Sequence, residues 1–282
     1  MKTWKGRGVR QAVRAPTTGV NVLPDKARFE IKYFVPRVLG GQLREAIAPY
    51  VELDPYSKKE KDRAYTVRSI YYDTAEFDYH FEKLDGLKVR KKLRIRTYNN
   101  YKEQKTAFFE IKRRYNQVII KERAELPISK AREFITQPSL EFPADIDDRL
   151  KRVVLSKFFY NYLREALEPK LLVVYEREAY VGLQDRSIRV TFDTNLRFHF
   201  EPEIDEIFTD NGFVYRFEPY YILELKFNGF MPKWMRQLTR QFSLSAQSIS
   251  KYCSGVEVFI EKESSTTLLN PHVNGHHGIR SI

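Results

Sequence analysis

Charged residues at alternate positions recur on several segments of this chain. The segment 88–98, KVRKKLRIRTY, places five Lys and Arg side chains at alternate positions, out of phase with Val89, Leu93 and Ile95. Because successive side chains of a β-strand point to opposite faces, such a strand carries a row of cations on one face. Like charge in this density is suited to binding a polyanion.

Other segments repeat the pattern with an apolar opposite face. They contribute Glu30 and Lys32, Glu110 and Lys112, Lys121 and Arg123, Arg189, and Glu224 and Lys226. If these faces converge on one interior, the partly desolvated cations are costly without a partner, so the interior requires an anion. The glutamates Glu30, Glu110 and Glu224 would reduce the repulsion, and could hold a divalent metal that bridges to phosphate oxygens.

Strands are the commonest element needed to position these residues. Period-2 segments bounded by turn signals lie at 28–35, 64–74, 88–98, 106–115, 117–126, 170–182, 187–200 and 220–229. Helical periodicity predicts a short helix at about 39–50, a helical insertion at about 128–168 with its main helix at 145–167, and a closing pair at 232–242 and 246–260. The pattern predicts an α+β, mainly antiparallel fold: a closed, tunnel-shaped barrel of about eight strands with flanking helices and a C-terminal helical pair.

The charged faces allow two arrangements. In a half-exposed antiparallel sheet they turn to water, which is the ordinary arrangement for a single strand. In a closed barrel of about eight strands they line an interior just wide enough for one ligand. Recurrence of the pattern on so many strands favours the barrel.

Composition sets the class of protein and its partners. The chain has 282 residues, 42% of them hydrophobic, which is enough to bury the core of one large domain or two small ones. Its 49 Lys and Arg against 37 Asp and Glu give a net charge of +12, so nucleic acid, an anionic membrane face and phosphates are candidate partners. Cys253 is the only cysteine, which excludes an intrachain disulfide and predicts a reducing, cytoplasmic setting.

Membrane insertion is not expected, because the basic N-terminal stretch has no apolar signal core and no run approaches about 18 apolar residues. A peripheral membrane association or a membrane-protein partner stays open. Residues 1–25 are predicted to be a flexible basic arm, 26–260 the folded domain and 261–282 a flexible tail. The histidines of this tail, His272, His276 and His277, have no acidic companions and are not predicted to bind metal.

Nine motifs in order resemble the VTC domain, the polyphosphate polymerase module of the vacuolar transporter chaperone complex, within the triphosphate tunnel metalloenzyme (CYTH-like) group. They are RFEIKY, VRSIYYDT, KLDGLKVRKKLRIRTY, FFEIKRR, IIKERAEL, YEREAYVG, IRVTFDTNL, LELKFNG and SISKY, spread over roughly residues 26–260. The resemblance implies a tunnel that binds ATP as substrate and the growing polyphosphate, with a divalent metal, usually Mn²⁺ and alternatively Mg²⁺.

The resemblance also implies the site residues. The catalytic phosphate ligands carried over by motif are Lys32, Arg94, Arg96, Lys112, Lys121, Arg177, Arg189 and Lys251. Ser250 and Lys226 are expected to be cofactor-binding residues, with Ser250 beside Lys251 in contact with phosphate, and Glu224 is expected to bind the metal. Tyr71 and Asp73 of the motif YYDT are left outside the site and predicted to be structural.

The implied function is polyphosphate synthesis from ATP, with two alternatives. One is a tunnel triphosphatase that hydrolyses a nucleoside triphosphate or tripolyphosphate; Arg28 stands where the hydrolytic members have their first glutamate, which disfavours a two-metal hydrolase. The other is a non-catalytic polyphosphate-binding protein. Tyr98, Tyr101 and Lys102 could form a nucleic-acid stacking groove, but a closed interior excludes duplex, so ATP and inorganic polyphosphate are the expected partners and no specific nucleic acid is expected. The sequence does not indicate an oligomeric state.

Overall fold

The computed structural model describes residues 28–100, 105–115, 118–141, 146 and 148–269. The strands in this part of the chain are Arg28–Pro36 (β1), Val51–Leu53 (β2), Tyr65–Asp73 (β3), Val89–Tyr98 (β4), Thr106–Tyr115 (β5), Val118–Pro127 (β6), Glu168–Gly182 (β7), Arg189–Phe200 (β8), Val214–Tyr215 (β9) and Tyr220–Asn228 (β10). The α-helices are Gly40–Ile47 (α1), Asp78–Leu84 (α2), Ile128–Thr136 (α3), Arg149–Arg164 (α4), Lys233–Gln241 (α5) and Lys251–Leu269 (α6).

The strands form one antiparallel sheet. Its main path runs β1-β10-β8-β7-β3-β4-β5-β6, while β2 pairs with β7 and β9 pairs with β8. The eight strands of the main path are the eight predicted from periodicity. The two additional strands have three and two residues, which is too short for a period-2 pattern to be recognised.

The sheet is strongly curled. Glu30 on β1 and Lys112 on β5 lie six strand spacings apart in the sheet order, which in a flat sheet is about 29 Å. The Nζ atom of Lys112 and a carboxylate oxygen of Glu30 are nevertheless 3.6 Å apart, so the sheet curls into a half-barrel. The predicted α+β, antiparallel, tunnel-like fold is confirmed. Within the described residues no backbone ladder joins the end strands β1 and β6; β1 instead pairs through Lys32 with Gln247, just before α6.

Two apolar cores cover the outer face of the half-barrel. On one side α3 and α4 pack against β3 to β6, with Phe109 of β5 in edge contact with Phe158 of α4 at 5.0 Å between ring centroids. On the other side α1 and α5 cover β1, β8 and β10, where Leu43 and Met235 are fully buried. Helix α4 begins at residue 149 because the side chain of Asp148 accepts hydrogen bonds from the first free backbone N–H groups.

A third apolar core lies inside the half-barrel, where α6 fills one end. Tyr252 and Val256 of this helix are buried against inward-facing residues of β3, β7, β8 and β10. Gly255 makes the close approach possible, since an added Cβ would lie 2.3 Å from Leu171 Cδ2 and 2.7 Å from Phe198 Cδ1. The other end of the interior is left open by the helix.

The inner face of the sheet therefore changes character along each strand. On β7 the buried Val173 precedes Arg177 on the same face, and on β10 the buried Ile222 precedes Glu224 and Lys226. Apolar residues contact α6, and charged residues surround the open end. Among the described residues, no helix has the length and hydrophobicity needed to cross a membrane.

Some predicted boundaries differ from the structure. Helix α6 continues to Leu269, past residue 261 where the sequence predicts the tail to begin; residues 261–263 are Glu, Lys and Glu, which are polar but good helix formers. The same helix begins at Lys251 rather than at 246, because Gln247 pairs with β1. The predicted arm 1–25, and the tail from residue 270 with its histidines, lie outside the described residues.

Candidate anion-binding site

The open end of the half-barrel contains a cavity of about 690 Å³ whose walls are strongly basic. Sixteen Lys and Arg side chains line it against two Glu, and the cations come from seven strands and two helices. All eleven residues predicted from the sequence take part in the lining: Lys32, Arg94, Arg96, Lys112, Lys121, Arg177, Arg189, Glu224, Lys226, Ser250 and Lys251. The charged faces converge on one interior, so a half-exposed sheet does not describe the molecule.

Glu224 lies at the centre of the β1–β10 wall and is 3% exposed. Its carboxylate oxygens are 2.8 Å from Lys226 Nζ, 2.9 Å from Lys251 Nζ and 3.4 Å from Arg177 Nη2. Burial would raise the pKa of Glu224, but these cations and Lys32 hold it well below its usual range. The carboxylate is therefore ionised at any physiological pH.

Asp193 supports the same wall from the neighbouring strand. Arg177 donates to it through two nitrogens, each 2.7 Å from a different carboxylate oxygen, and Lys251 Nζ lies 2.6 Å away. A bidentate pair fixes the plane of the guanidinium as well as its position. Asp193 and Glu224 together hold Arg177 and Lys251 at the border between the apolar core and the cavity.

Glu110 has the equivalent role on the β4–β6 wall. Arg94 Nε and Lys121 Nζ lie 2.7 and 2.6 Å from its two carboxylate oxygens, and Arg123 Nε is 3.4 Å away. Burial would raise the pKa of Glu110, but Arg94, Arg96 and Lys121 lower it far below its usual range. One buried carboxylate thus serves three cations, which leaves the wall with an excess of positive charge.

Two lysines of the cavity have lowered pKa values, because they are buried and surrounded by other cations. Burial, together with the charges of Arg94 and Arg96, outweighs Glu110 and lowers the pKa of Lys121 to about 7. Burial likewise lowers the pKa of Lys112 to about 8; Glu30 opposes this shift, and the charges of Lys32, Arg94 and Lys226 add to it. An anion in the cavity would stabilise the protonated form of both side chains.

Two further cations of β4 contact neutral groups. Arg96 donates to Ser69 Oγ at 3.0 Å, and Lys92 donates to Ser250 Oγ at 2.8 Å. Both line the cavity. Their charges are positioned by hydroxyl groups that a phosphate oxygen could replace.

Several cavity residues were not predicted as site residues. Lys92 and Arg90 share the inner face of β4 with Arg94 and Arg96. The alternation of side chains along the strand was therefore enough to predict them as cavity residues. Tyr71, predicted to be structural, lines the cavity and accepts a hydrogen bond from Arg94 Nη1 at 2.6 Å. Burial would raise the pKa of Tyr71, but Arg94, Arg96 and Lys92 lower it to about 8.

Asp73, from the same motif, is structural. Its carboxylate accepts hydrogen bonds from the backbone N–H groups of Tyr79 and His80 in α2 and from the hydroxyl of Tyr252 in α6. It thereby ties the end of β3 to two helices.

A divalent cation fits this site only together with a phosphate ligand. The described residues contain no group of three or more His, Cys, Asp and Glu that could hold a metal alone. Glu30 and Glu224, however, face each other across Lys32, whose Nζ is 3.1 Å from Glu30 Oε1 and 3.6 Å from Glu224 Oε1. Mg²⁺ is commonly bound through one or two carboxylates plus substrate phosphates, and this pair matches that donor set.

A curled antiparallel sheet whose concave face gathers cations from seven strands defines a tunnel-type domain with a strongly basic interior. The sequence model of the VTC domain family matches residues 27–260, and the chain belongs to this family.

The individual proteins to which the chain is similar include the following two. It is 24% identical over 248 residues to vacuolar transporter chaperone complex subunit 4 of Schizosaccharomyces pombe. The match covers 74% of this chain but 33% of that protein, so the chain spans about a third of its relative's length. Among solved structures, the PH1819 protein from Pyrococcus horikoshii OT3 aligns with a TM-score of 0.38 and 12% identity, over 84% of this chain and 99% of that one.

Proposed function

We propose that the chain is a polyphosphate polymerase, which transfers the γ-phosphate of ATP to the end of a growing polyphosphate chain inside the cavity. The observation that carries this proposal is the convergence of sixteen cations and only two glutamates on one cavity. Family membership and the similarity to a vacuolar transporter chaperone subunit support it. A cytoplasmic location of the protein is consistent with an ATP-dependent reaction and with a sequence that has a single cysteine.

Phosphoryl transfer requires little covalent participation by a protein: it requires alignment of the reacting groups and neutralisation of their charge. The two walls of the cavity supply both. From Arg90 to Arg96 the cations of β4 extend over about 20 Å, which is a path for a chain rather than a point for one phosphate. Arg94 and Lys121 on one side and Lys32 and Lys251 on the other would grip the donor triphosphate between them.

Glu224, assisted by Glu30, would hold the Mn²⁺ or Mg²⁺ ion. When bound, such an ion neutralises charge on the bridged phosphate oxygens. As the phosphates enter, Lys32 and Lys226 would exchange part of their contact with the two carboxylates for contact with phosphate oxygens. Before the phosphates enter, the two lysines pair with the carboxylates and so reduce the cost of burying their charges.

The decisive experiment is incubation of the purified protein with ATP and Mn²⁺, followed by detection of polymer on a gel. Long polymer is expected, and Lys121→Ala and Glu224→Ala should each reduce its formation strongly. Release of orthophosphate alone would identify a triphosphatase instead. Thermal stabilisation by tripolyphosphate without any turnover would identify a binding protein, and stronger competition by an oligonucleotide than by tripolyphosphate would contradict the phosphate tunnel itself.

A further inference from the structure

Four aromatic rings form a row that leads from the surface into the cavity. Successive ring centroids are 6.2 Å apart from Tyr56 to Tyr65, 5.9 Å from Tyr65 to Tyr98, and 5.7 Å from Tyr98 to Phe108. Tyr56 is 67% exposed, whereas Tyr65 and Tyr98 belong to the cavity lining. The row therefore connects bulk water with the site of the cations.

Tyr65 and Tyr98 form a corner within this row. Their ring planes are inclined by 68°, so one ring presents its edge where the other presents its face. The neighbouring Phe108 is covered by the guanidinium of Arg123, which lies 3.5 Å from the ring centroid. The same guanidinium donates to the Tyr98 hydroxyl at 3.3 Å but lies farther from that ring, 5.9 Å from its centroid. Since Phe108 is outside the cavity lining, Tyr65 and Tyr98 are the two rings of the row at which a flat group inside the cavity could stack.

The corner adjoins two of the cavity cations. Tyr65 is the direct cross-strand partner of Arg177, and Tyr98 lies two positions from Arg96 on the inner face of β4. A ligand with an aromatic ring at the corner could therefore extend an attached anionic group toward Arg96 and Arg177. A nucleoside triphosphate combines both parts, because each nucleobase has a π-face that stacks on aromatic side chains.

We propose that Tyr65 and Tyr98 form the nucleobase subsite of this cavity; the assignment rests on the proposed function, which places a nucleoside triphosphate there. The purine stacks against the corner and the phosphates extend toward Glu224 and the cations around it. Stacking is tolerant of base identity, so ATP and GTP bind with similar affinity. The corner thus distinguishes nucleotide from bare polyphosphate rather than one purine from another.

The test compares dissociation constants of ATP and of inorganic tripolyphosphate by calorimetric titration. Tyr98→Leu should weaken ATP binding about fivefold or more, because a stacked base contributes at least about that factor, and should change tripolyphosphate binding less than about twofold. Tyr98→Phe retains the ring and should retain ATP affinity. Tyr215→Leu, at an exposed tyrosine of β9 outside the cavity lining, is the matched control and should change neither.

Two further measurements keep the proposal falsifiable if Tyr98→Leu folds poorly. Tyr65→Leu should give the same selective loss, and the unaltered protein should bind ribose triphosphate, which has no base, about tenfold more weakly than ATP. Equal affinity of the unaltered protein for ATP and ribose triphosphate would overturn the subsite, as would equal weakening of ATP and tripolyphosphate by Tyr98→Leu.

The two proposals fail in different ways. An unaltered protein that binds tripolyphosphate, but binds ATP no better than ribose triphosphate, would remove the subsite and leave the phosphate tunnel intact. A protein that binds ATP but not tripolyphosphate would contradict the tunnel, and the corner would be supported if Tyr98→Leu still weakened ATP. Binding of neither ligand would overturn both.

Discussion

Replacement of Glu224 by glutamine tests whether the cavity is held together by its buried carboxylates. The substitution preserves the size of the side chain but removes the negative charge that four cations share at 2.8 to 3.6 Å. Removing one partner of a buried ion pair costs about 3–5 kcal/mol, because the other charge is left uncompensated. Since Glu30 and Asp193 still contact the same cations, the lower value of about 3 kcal/mol is expected here.

A loss of this size is measurable as a change in melting temperature. For a domain of this length, 1 kcal/mol corresponds to about 2–4 °C, so Glu224→Gln should melt about 6–12 °C below the unaltered protein. Tripolyphosphate without metal should restore much of the loss, because a ligand at a hundredfold excess over its Kd adds about 2.7 kcal/mol. Its stabilising effect should be larger in Glu224→Gln than in the unaltered protein, since one negative charge fewer opposes the phosphate.

The matched control is Glu52→Gln at the surface. Glu52 also contacts two cations, with 2.6 Å to Lys58 and 2.5 Å to Arg186, but its side chain is 36% exposed. Exposed ion pairs contribute little to stability because water screens them, so this variant should melt within a few degrees of the unaltered protein. Equal losses in the two variants, or a Glu224→Gln protein insensitive to tripolyphosphate, would refute the electrostatic account of the cavity.

Two other predictions concern pH and helix packing. In the ligand-free fold the pKa of Lys121 is about 7, whereas in the unfolded chain it is about 10.5. Between about pH 7 and about pH 10.5 the unfolded state therefore binds more protons than the folded state, so the free energy of unfolding should rise with pH. Over the same range the affinity for tripolyphosphate should fall, because Lys121 loses its positive charge. Lys121→Met should reduce both pH dependences in denaturation and titration experiments and leave the part that comes from Lys112 and Tyr71, whose pKa values are also lowered. Unchanged profiles would contradict the assignment. Gly255→Ala should cost about 1–3 kcal/mol by pushing α6 away from β7 and β8, and should weaken tripolyphosphate binding through Lys251. Gly41→Ala, where an added Cβ meets nothing within 4 Å, is the control. If denaturant titration gave the same free energy of unfolding for both variants, the packing role of Gly255 would be contradicted.

Alternation was sufficient to predict the sheet and the convergence of charge. The strands of the main path follow from period-2 patterns, and charged residues on one face of so many strands favour a shared interior over a half-exposed sheet. Alternation could not predict how far the cavity extends, because Val173 and Arg177 have the same parity on β7. Which of the two positions contacts α6 is decided by long-range packing around Gly255.

The remaining differences also have local causes. Tyr71 combines an apolar ring with a polar hydroxyl, and the sequence does not show that Arg94 stands opposite the hydroxyl. The helix α2 has seven residues, fewer than a convincing helical period requires, and its start depends on the carboxylate of Asp73. Within the motif YYDT, Tyr71 lines the cavity and Asp73 is structural, and the positions of the two residues in the strand do not distinguish these roles.

The location of α6 has a consequence for biosynthesis. A ribosome delivers β1 first and α6 only after β10, yet Lys251 must reach Glu224 and the apolar side of α6 must cover the inner faces of β7 and β8. Before that docking, a nascent sheet exposes hydrophobic surface and holds Glu224 with one cation fewer. The basic cavity is therefore completed only late in translation, once α6 has emerged and Lys251 has reached Glu224.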